Sequence, residues 1–175
     1  FLALLSNRHK IIMAGRPSVQ PGCFKTKSNQ AGTTLFVDPQ LIEGTLYKGF
    51  ELYKRLDNAF SRAVFMMFMV SEVHPFNDGN GRLSRIMMNA ELIAAGEQRI
   101  IIPTVFRQNY LQSLKALSHN SITDAFIKTL DFAQRYTGMI DWSDITRATD
   151  MLQETNAFVD SSEDENARLK LPGKF

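Results

Sequence analysis

Residues 74–85, His-Pro-Phe-Asn-Asp-Gly-Asn-Gly-Arg-Leu-Ser-Arg, are the part of the chain richest in chemistry, and we call them the signature segment. They bring an imidazole, a carboxylate, two glycines, an amide and two guanidinium groups together between two apolar stretches with helical spacing. One short turn thus combines a base, a carboxylate that can bind a metal ion, and a possible phosphate-binding site. This combination suits an enzyme that moves a phosphate-bearing group from a nucleotide to an acceptor.

The phosphate site is predicted from glycines and arginines. Gly79 and Gly81 lie where a helix should begin, and glycines permit a tight turn whose N–H groups converge on an anion. The positive end of the helix dipole favours the same anion. Arg82 and Arg85 follow on that helix, and guanidinium groups make forked contacts with phosphate oxygens.

A metal ligand and a base complete the site. Asp78 supplies a hard oxygen ligand, which suits Mg²⁺ shared with phosphates. His74 titrates near neutral pH and can take the proton from an attacking hydroxyl. Each group alone has a structural interpretation, such as an ordinary turn or a solvated helix face, and Ser84 breaks a dinucleotide-binding glycine fingerprint. The combination favours a catalytic site.

The rest of the chain predicts a helical bundle with one hairpin. Residues 22–37, which we call the flap, combine strand-like residues with Gly and Pro. A methionine-rich helix capped by Asp57 precedes the signature segment, and its methionines are predicted to fill the core. Further helices are predicted at about 81–95, 106–118, 122–138 and 142–158, the last two capped by Ser121 and Asp141.

Bulk properties exclude several classes of protein. The chain has 175 residues, of which 44% are hydrophobic, and this suits one globular domain. A net charge of +2 without a basic tract argues against nucleic acid as a partner. Cys23 is the only cysteine, so no intrachain disulfide forms. No apolar run is long enough to span a bilayer, so no membrane association and a cytoplasmic location are expected.

The signature segment resembles that of the Fic family (filamentation induced by cAMP), His-x-Phe-x-(Asp/Glu)-Gly-Asn-Gly-Arg-x-x-Arg, at every fixed position. Residues 21–39 are similar to that family's flap, and about residues 10–140 resemble its core. The resemblance implies an all-α fold, a helical bundle of the Fic type with a small β-hairpin flap over the active site. Residues 1–140 would form the catalytic core, and 141–175 a C-terminal helix and polar tail of the same domain.

The resemblance also implies an activity, the transfer of AMP from ATP to a Ser, Thr or Tyr hydroxyl of a target protein. His74 would be the general base, and Asp78 would hold Mg²⁺. Phe76 would be buried under the loop, and the flap would clamp the target by strand addition. The family's flap often has Arg where Lys25 lies here. The phosphates would be held by the glycine turn and the two arginines: Gly79, Asn80, Gly81, Arg82 and Arg85.

An inhibitory element is a further expectation. Many Fic proteins carry the pattern (Ser/Thr)-x-x-x-Glu-(Gly/Asn), whose Glu pairs with the last Arg of the signature. Ser161 to Asn166 matches it, with Glu165 as the candidate partner of Arg85. Acidic tails produce such a pattern readily, so a solvated tail is the alternative. A separate inhibitory element or antitoxin stays open as a further partner.

Three alternative functions remain open at this point. The same site can run in reverse and remove AMP from a modified protein. Phosphotransfer occurs in the Doc branch of the family, which alters the Gly-Asn-Gly centre that is intact here. A non-catalytic nucleotide-binding regulatory module is the third, although such a module need not keep His74.

Overall fold

The structure is a computed structural model that describes residues 1–160, 164 and 166–173. One two-stranded antiparallel sheet pairs Gln30 with Leu35 and Ala31 with Thr34. The predicted all-α fold with a small hairpin is therefore confirmed. The elements are α1 (Leu2–Ile12), β1 (Gln30–Ala31), β2 (Thr34–Leu35), α2 (Ile42–Tyr53), α3 (Ala59–Val73), α4 (Asn80–Ala94), α5 (Arg107–Asn120), α6 (Thr123–Met139) and α7 (Ile145–Glu154).

The chain divides into two compact units, Phe1–Glu97 and Gln98–Phe175. The first holds α1 to α4, the flap and the signature segment, and α3 packs along α4 at its centre. Met66, Met67 and Met69 of α3 are buried, which confirms the predicted methionine core. Among the described residues, no helix has both the length and the apolar character needed to cross a bilayer.

Helix α3 ends at the signature segment, and its start differs from the prediction. Its cap is Asn58, whose side-chain oxygen accepts from the Ser61 N–H at 2.7 Å, and not Asp57. Asn58 has the extended backbone of an N-cap residue, and Ser61 is the third helical residue, which is the usual donor to such a cap. At the other end, His74 precedes Pro75 and leaves the helical conformation, because proline disfavours that conformation in the residue before it.

The second unit holds α5 to α7, and both predicted caps there are wrong. Ser121 ends α5 in a left-handed conformation, and α6 begins at Thr123 without a side-chain cap. Asp144 caps α7 by accepting from the N–H groups of Thr146 and Arg147, because Asp141 is already engaged by Ser143 in the preceding turn.

Helix α1 was absent from the sequence-based prediction. Leu5, His9 and Met13 recur at intervals of four and are all buried in the first unit. Leu5 belongs to the same apolar core as Phe76 and Leu83. The helix therefore brings a histidine into the interior beside the signature segment.

Candidate active site

His74 lies at the C-terminal end of α3 with a left-handed backbone, φ 48° and ψ 56°. Its Nδ1 is 3.1 Å from the carbonyl oxygen of Ser71. A carbonyl oxygen only accepts, so Nδ1 carries the proton of the neutral ring and Nε2 presents a lone pair. The structure therefore fixes the tautomer that a general base needs.

The surroundings of His74 favour its neutral form. Burial lowers the pKa of His74, and the ammonium of Lys25 acts in the same direction. The Ser71 carbonyl and the Asp78 carboxylate oppose this shift, but the net pKa lies below the ordinary value of 6.5. The ring of Phe36 stacks on the imidazole at 3.8 Å, so the flap covers one face of the His74 ring.

The loop between α3 and α4 is held by Asn80. Its side-chain oxygen accepts from the Phe76 N–H at 2.9 Å, and its amide nitrogen donates to the Phe76 carbonyl at 2.8 Å. Asn80 is 1% exposed, and Phe76 is fully buried as expected. The side chain of Asn80 thus shapes the loop, which leaves its backbone N–H as the group that can face an anion.

The N-terminus of α4 has features that favour the binding of an anion. Gly79 precedes it with φ 80°, and no side chain caps the helix. The N–H groups of its first turn are therefore open to a ligand, and the helix dipole favours a negative one. Nη1 of Arg85 lies 3.6 Å from the position that a Cβ on Gly81 would occupy. No hydrogen bond or ion pair joins the guanidinium of Arg85 to another residue in the described part of the chain.

Asp78 lies among positive groups. Its Oδ1 accepts from the Gly79 N–H at 2.6 Å, and its Oδ2 is 2.5 Å from Nη1 of Arg16 and 3.8 Å from Nη2 of Arg82. Within the described residues, no group of three or more His, Cys, Asp or Glu side chains could hold a metal ion. A single carboxylate fits Mg²⁺, which keeps most of its waters and shares phosphate oxygens. Such an ion would have to compete with Arg16 for Oδ2.

The flap is attached to the signature segment by its backbone and side chains. The Lys25 N–H donates to the Pro75 carbonyl at 2.8 Å, and the Asn29 amide donates to the Phe76 carbonyl at 3.2 Å. The ammonium of Lys25 donates to Asn29 at 2.6 Å and is almost completely buried, which lowers its pKa. The predicted flap therefore lies against the predicted base.

Comparison with known proteins identifies the family. A model of the Fic/DOC family matches residues 2–92, which is more than half of the chain. The chain belongs to the Fic/DOC family.

Curated relatives of this Fic chain carry names that state an activity. It is 32% identical over 97 residues to proteins named "Protein adenylyltransferase Fic" from Drosophila persimilis and Drosophila melanogaster. The match covers 54% of this chain and 19% and 20% of those proteins, so the chain spans about a fifth of their length. Those names describe the relatives.

Solved structures support the Fic fold. Fic-1 of C. elegans superposes with a TM-score of 0.69 and 19% identity, covering 88% of this chain and 44% of that one. A Fic domain containing signaling protein from Bacteroides thetaiotaomicron gives a TM-score of 0.62 and 18% identity, covering 79% and 63%. At these identities, the likeness concerns the fold alone.

Sequence reasoning missed one residue of this Fic site. His9 of α1 is fully buried, stacks on Phe76 at 3.7 Å, and reaches the Asp78 carbonyl and the Gly22 N–H. The signal that could have revealed it is the spacing of Leu5, His9 and Met13, which places a histidine on an apolar helix face. The proposed inhibitory residues Ser161 and Glu165 lie outside the described residues.

Proposed function

We propose that this chain transfers AMP from ATP to a hydroxyl group of a target protein. The observation that carries the proposal is the fixed tautomer of His74, with Nδ1–H held by Ser71 and Nε2 free to accept a proton. The names of the curated relatives support the same activity. Intact Gly79, Asn80 and Gly81 favour it over phosphotransfer.

The proposed reaction is an in-line displacement at the α-phosphorus. Nε2 of His74 accepts the proton of the target hydroxyl, whose oxygen forms a bond to the α-phosphorus. The bond from that phosphorus to the bridging oxygen breaks, and pyrophosphate leaves with the electron pair. The neutral form of His74 at pH 7 suits this role, because a protonated ring could not accept the proton.

The first turn of α4 and two arginines are proposed to hold the phosphates. The uncapped N–H groups of Asn80 and Gly81 offer donors, and Arg85 has no competing partner among the described residues. Arg82 adds a second guanidinium at the same end of the helix. Asp78 would hold Mg²⁺, which neutralises charge on the phosphate oxygens when it is bound.

The flap is proposed to hold the target segment. Its strands are two residues each, and Gln30, Ala31 and Leu35 are exposed. A short exposed strand offers its backbone to an added strand. The contact of Phe36 with His74 would then bring an attached target hydroxyl towards the base.

Incubation with ATP labelled at either the α- or the γ-phosphate tests the proposal. Retention of the α-label alone on a protein indicates AMP transfer, and retention of the γ-label indicates phosphotransfer. Loss of a preformed AMP–protein linkage without net transfer indicates the reverse reaction. His119→Ala is the matched control for His74→Ala, because His119 is an exposed histidine on α5 in the other unit.

A further inference from the structure

We propose that His9 is a positioning residue that joins the flap to the signature segment and thereby orients the loop that carries Asp78. This inference rests on the proposed function for its kinetic consequence only. The hydrogen bonds by which His9 joins the flap to the loop are a property of the folded chain and can be measured without nucleotide.

The two ring nitrogens of His9 have different partners. The Gly22 N–H donates to Nδ1 at 2.9 Å, so Nδ1 carries no proton. Nε2 lies 2.9 Å from the Asp78 carbonyl oxygen, which only accepts, so Nε2 carries the proton. Both bonds can form together only in the neutral ring with the proton on Nε2, and the two partners thus select one tautomer.

The ring of His9 is also packed against the loop. It stacks on Phe76 at 3.7 Å with an angle of 8° between the planes. Nε2 lies 3.3 Å from where a Cβ on Gly79 would lie, and Sδ of Met13 would lie 2.7 Å from it. Gly79 therefore has no room for a side chain, because His9 of α1 and Met13, which directly follows α1, occupy that space.

The hydrogen bonds of His9 differ in position from the other hydrogen bonds between the flap and the loop. Lys25 and Asn29 reach the carbonyls of Pro75 and Phe76, which lie on the His74 side of the loop. His9 reaches the carbonyl of Asp78, directly before the turn at residues 79–81 that we call the phosphate turn. Loss of His9 should therefore disturb the nucleotide side of the site more than the base.

The first test uses the folded chain without nucleotide. Nitrogen-15 spectra of the histidine rings, assigned with His9→Gln and His119→Ala, should show the proton of His9 on Nε2. Hydrogen exchange of the Gly22 amide should become about tenfold faster in His9→Phe, because its hydrogen bond to Nδ1 of His9 is lost. A proton on Nδ1 in the wild-type ring, or unchanged exchange, overturns the proposal.

The second test separates positioning from stability. His9→Phe keeps an aromatic ring for Phe76 but has neither donor nor acceptor, whereas His9→Gln keeps a donor at about the reach of Nε2. We expect His9→Phe to raise the KM for ATP about tenfold with a smaller change in kcat. In His9→Gln, the KM should stay close to the wild-type value. Leu5→Ala is the control for lost packing, because it opens a cavity in the core that contains Phe76, one turn before His9, and leaves both hydrogen bonds of His9 in place.

An unchanged KM in His9→Phe at equal folded fraction overturns the proposal, as does an equal rise in KM in Leu5→Ala. A wild-type chain that transfers no AMP refutes the proposed function instead. In that case the ring spectra and the exchange of the Gly22 amide still decide whether His9 joins the flap to the loop.

Discussion

Replacing His74 tests the proposed chemistry most directly. His74→Ala should lower AMP transfer by about 10²- to 10⁴-fold, the usual effect of removing a general base. Nucleotide binding should change little, because the proposed phosphate donors lie on α4 and do not include the His74 ring, whose Nδ1 is bonded to Ser71. The expected effect is therefore a loss of kcat at nearly constant affinity for ATP.

The alanine variant also loses structural contacts of His74, so it needs a matched partner. The bond to Ser71 contributes about 1 kcal/mol, and the stack with Phe36 about 0.5–1.5 kcal/mol. Alanine at φ 48° is also strained, since the left-handed conformation costs about 1–2 kcal/mol. His74→Asn tolerates this backbone better and keeps an amide donor, but it cannot act as a base at neutral pH. Both variants should lose transfer alike, and alanine should lose more stability.

The pH dependence gives an independent check on His74. Burial is the main cause that sets its pKa below 6.5. Only the neutral ring accepts a proton, so the rate should be level near pH 7 and fall on the acid side with a midpoint below 6.5. His74 also makes a contribution to the free energy of unfolding that changes with pH in the same direction as the rate. This contribution is fully present above pH 6.5 and is lost as the pH falls through the folded-state pKa.

The assay measures α-labelled AMP on protein under single-turnover conditions, with ATP affinity and thermal unfolding measured on the same samples. Transfer at the wild-type rate by His74→Asn, at equal folded fraction, would refute the assignment of the base. An acid limb with its midpoint above 6.5 would show that the titrating group is another residue.

Three further predictions concern the neighbours of His74. Lys25→Met should move the acid limb of the rate profile to higher pH, because the ammonium lowers the pKa of His74; an unmoved limb contradicts this. Arg16→Gln should tighten Mg²⁺ binding in the presence of ADP by about twofold to fivefold, the range expected for an exposed ion pair, and Asp78→Ala should abolish the difference in calorimetry. Leu35→Pro should reduce target modification more than ATP binding, whereas Leu35→Ala, which keeps the backbone N–H, should not; equal loss of both in Leu35→Pro would indicate misfolding.

The signature segment could be interpreted from sequence because its information is local. Gly79 takes a positive φ at the start of α4, and Arg85 returns towards Gly81 one turn later, both as helix geometry requires. The caps were harder to predict. Asp57 and Asn58 are adjacent cap formers, and the choice between them depends on which backbone is extended and where the Ser61 N–H lies.

The contribution of α1 could not be found in the same way. The helix begins at Leu2 without a side-chain cap, and its polar residues leave only a weak apolar stripe. Within that stripe, His9 reads as a polar interruption. The four-residue spacing can indicate that His9 is buried, but its partners Phe76, Gly22 and the Asp78 carbonyl are brought around it by tertiary packing, which no local pattern encodes.

The role of Gly79 shows why the signature segment is not a self-sufficient unit. From the sequence, this glycine is explained by the tight turn alone, and its φ of 80° agrees with that explanation. The structure adds a second requirement, because Met13 and His9 fill the space that a Cβ would need. The backbone at Gly79, which faces the proposed phosphates on one side, is therefore packed on its other side against these two residues. A residue some seventy positions upstream thus contributes to the shape of the phosphate turn. Transplanting residues 74–85 without such a helix would carry over the reactive groups but not the packing that positions them.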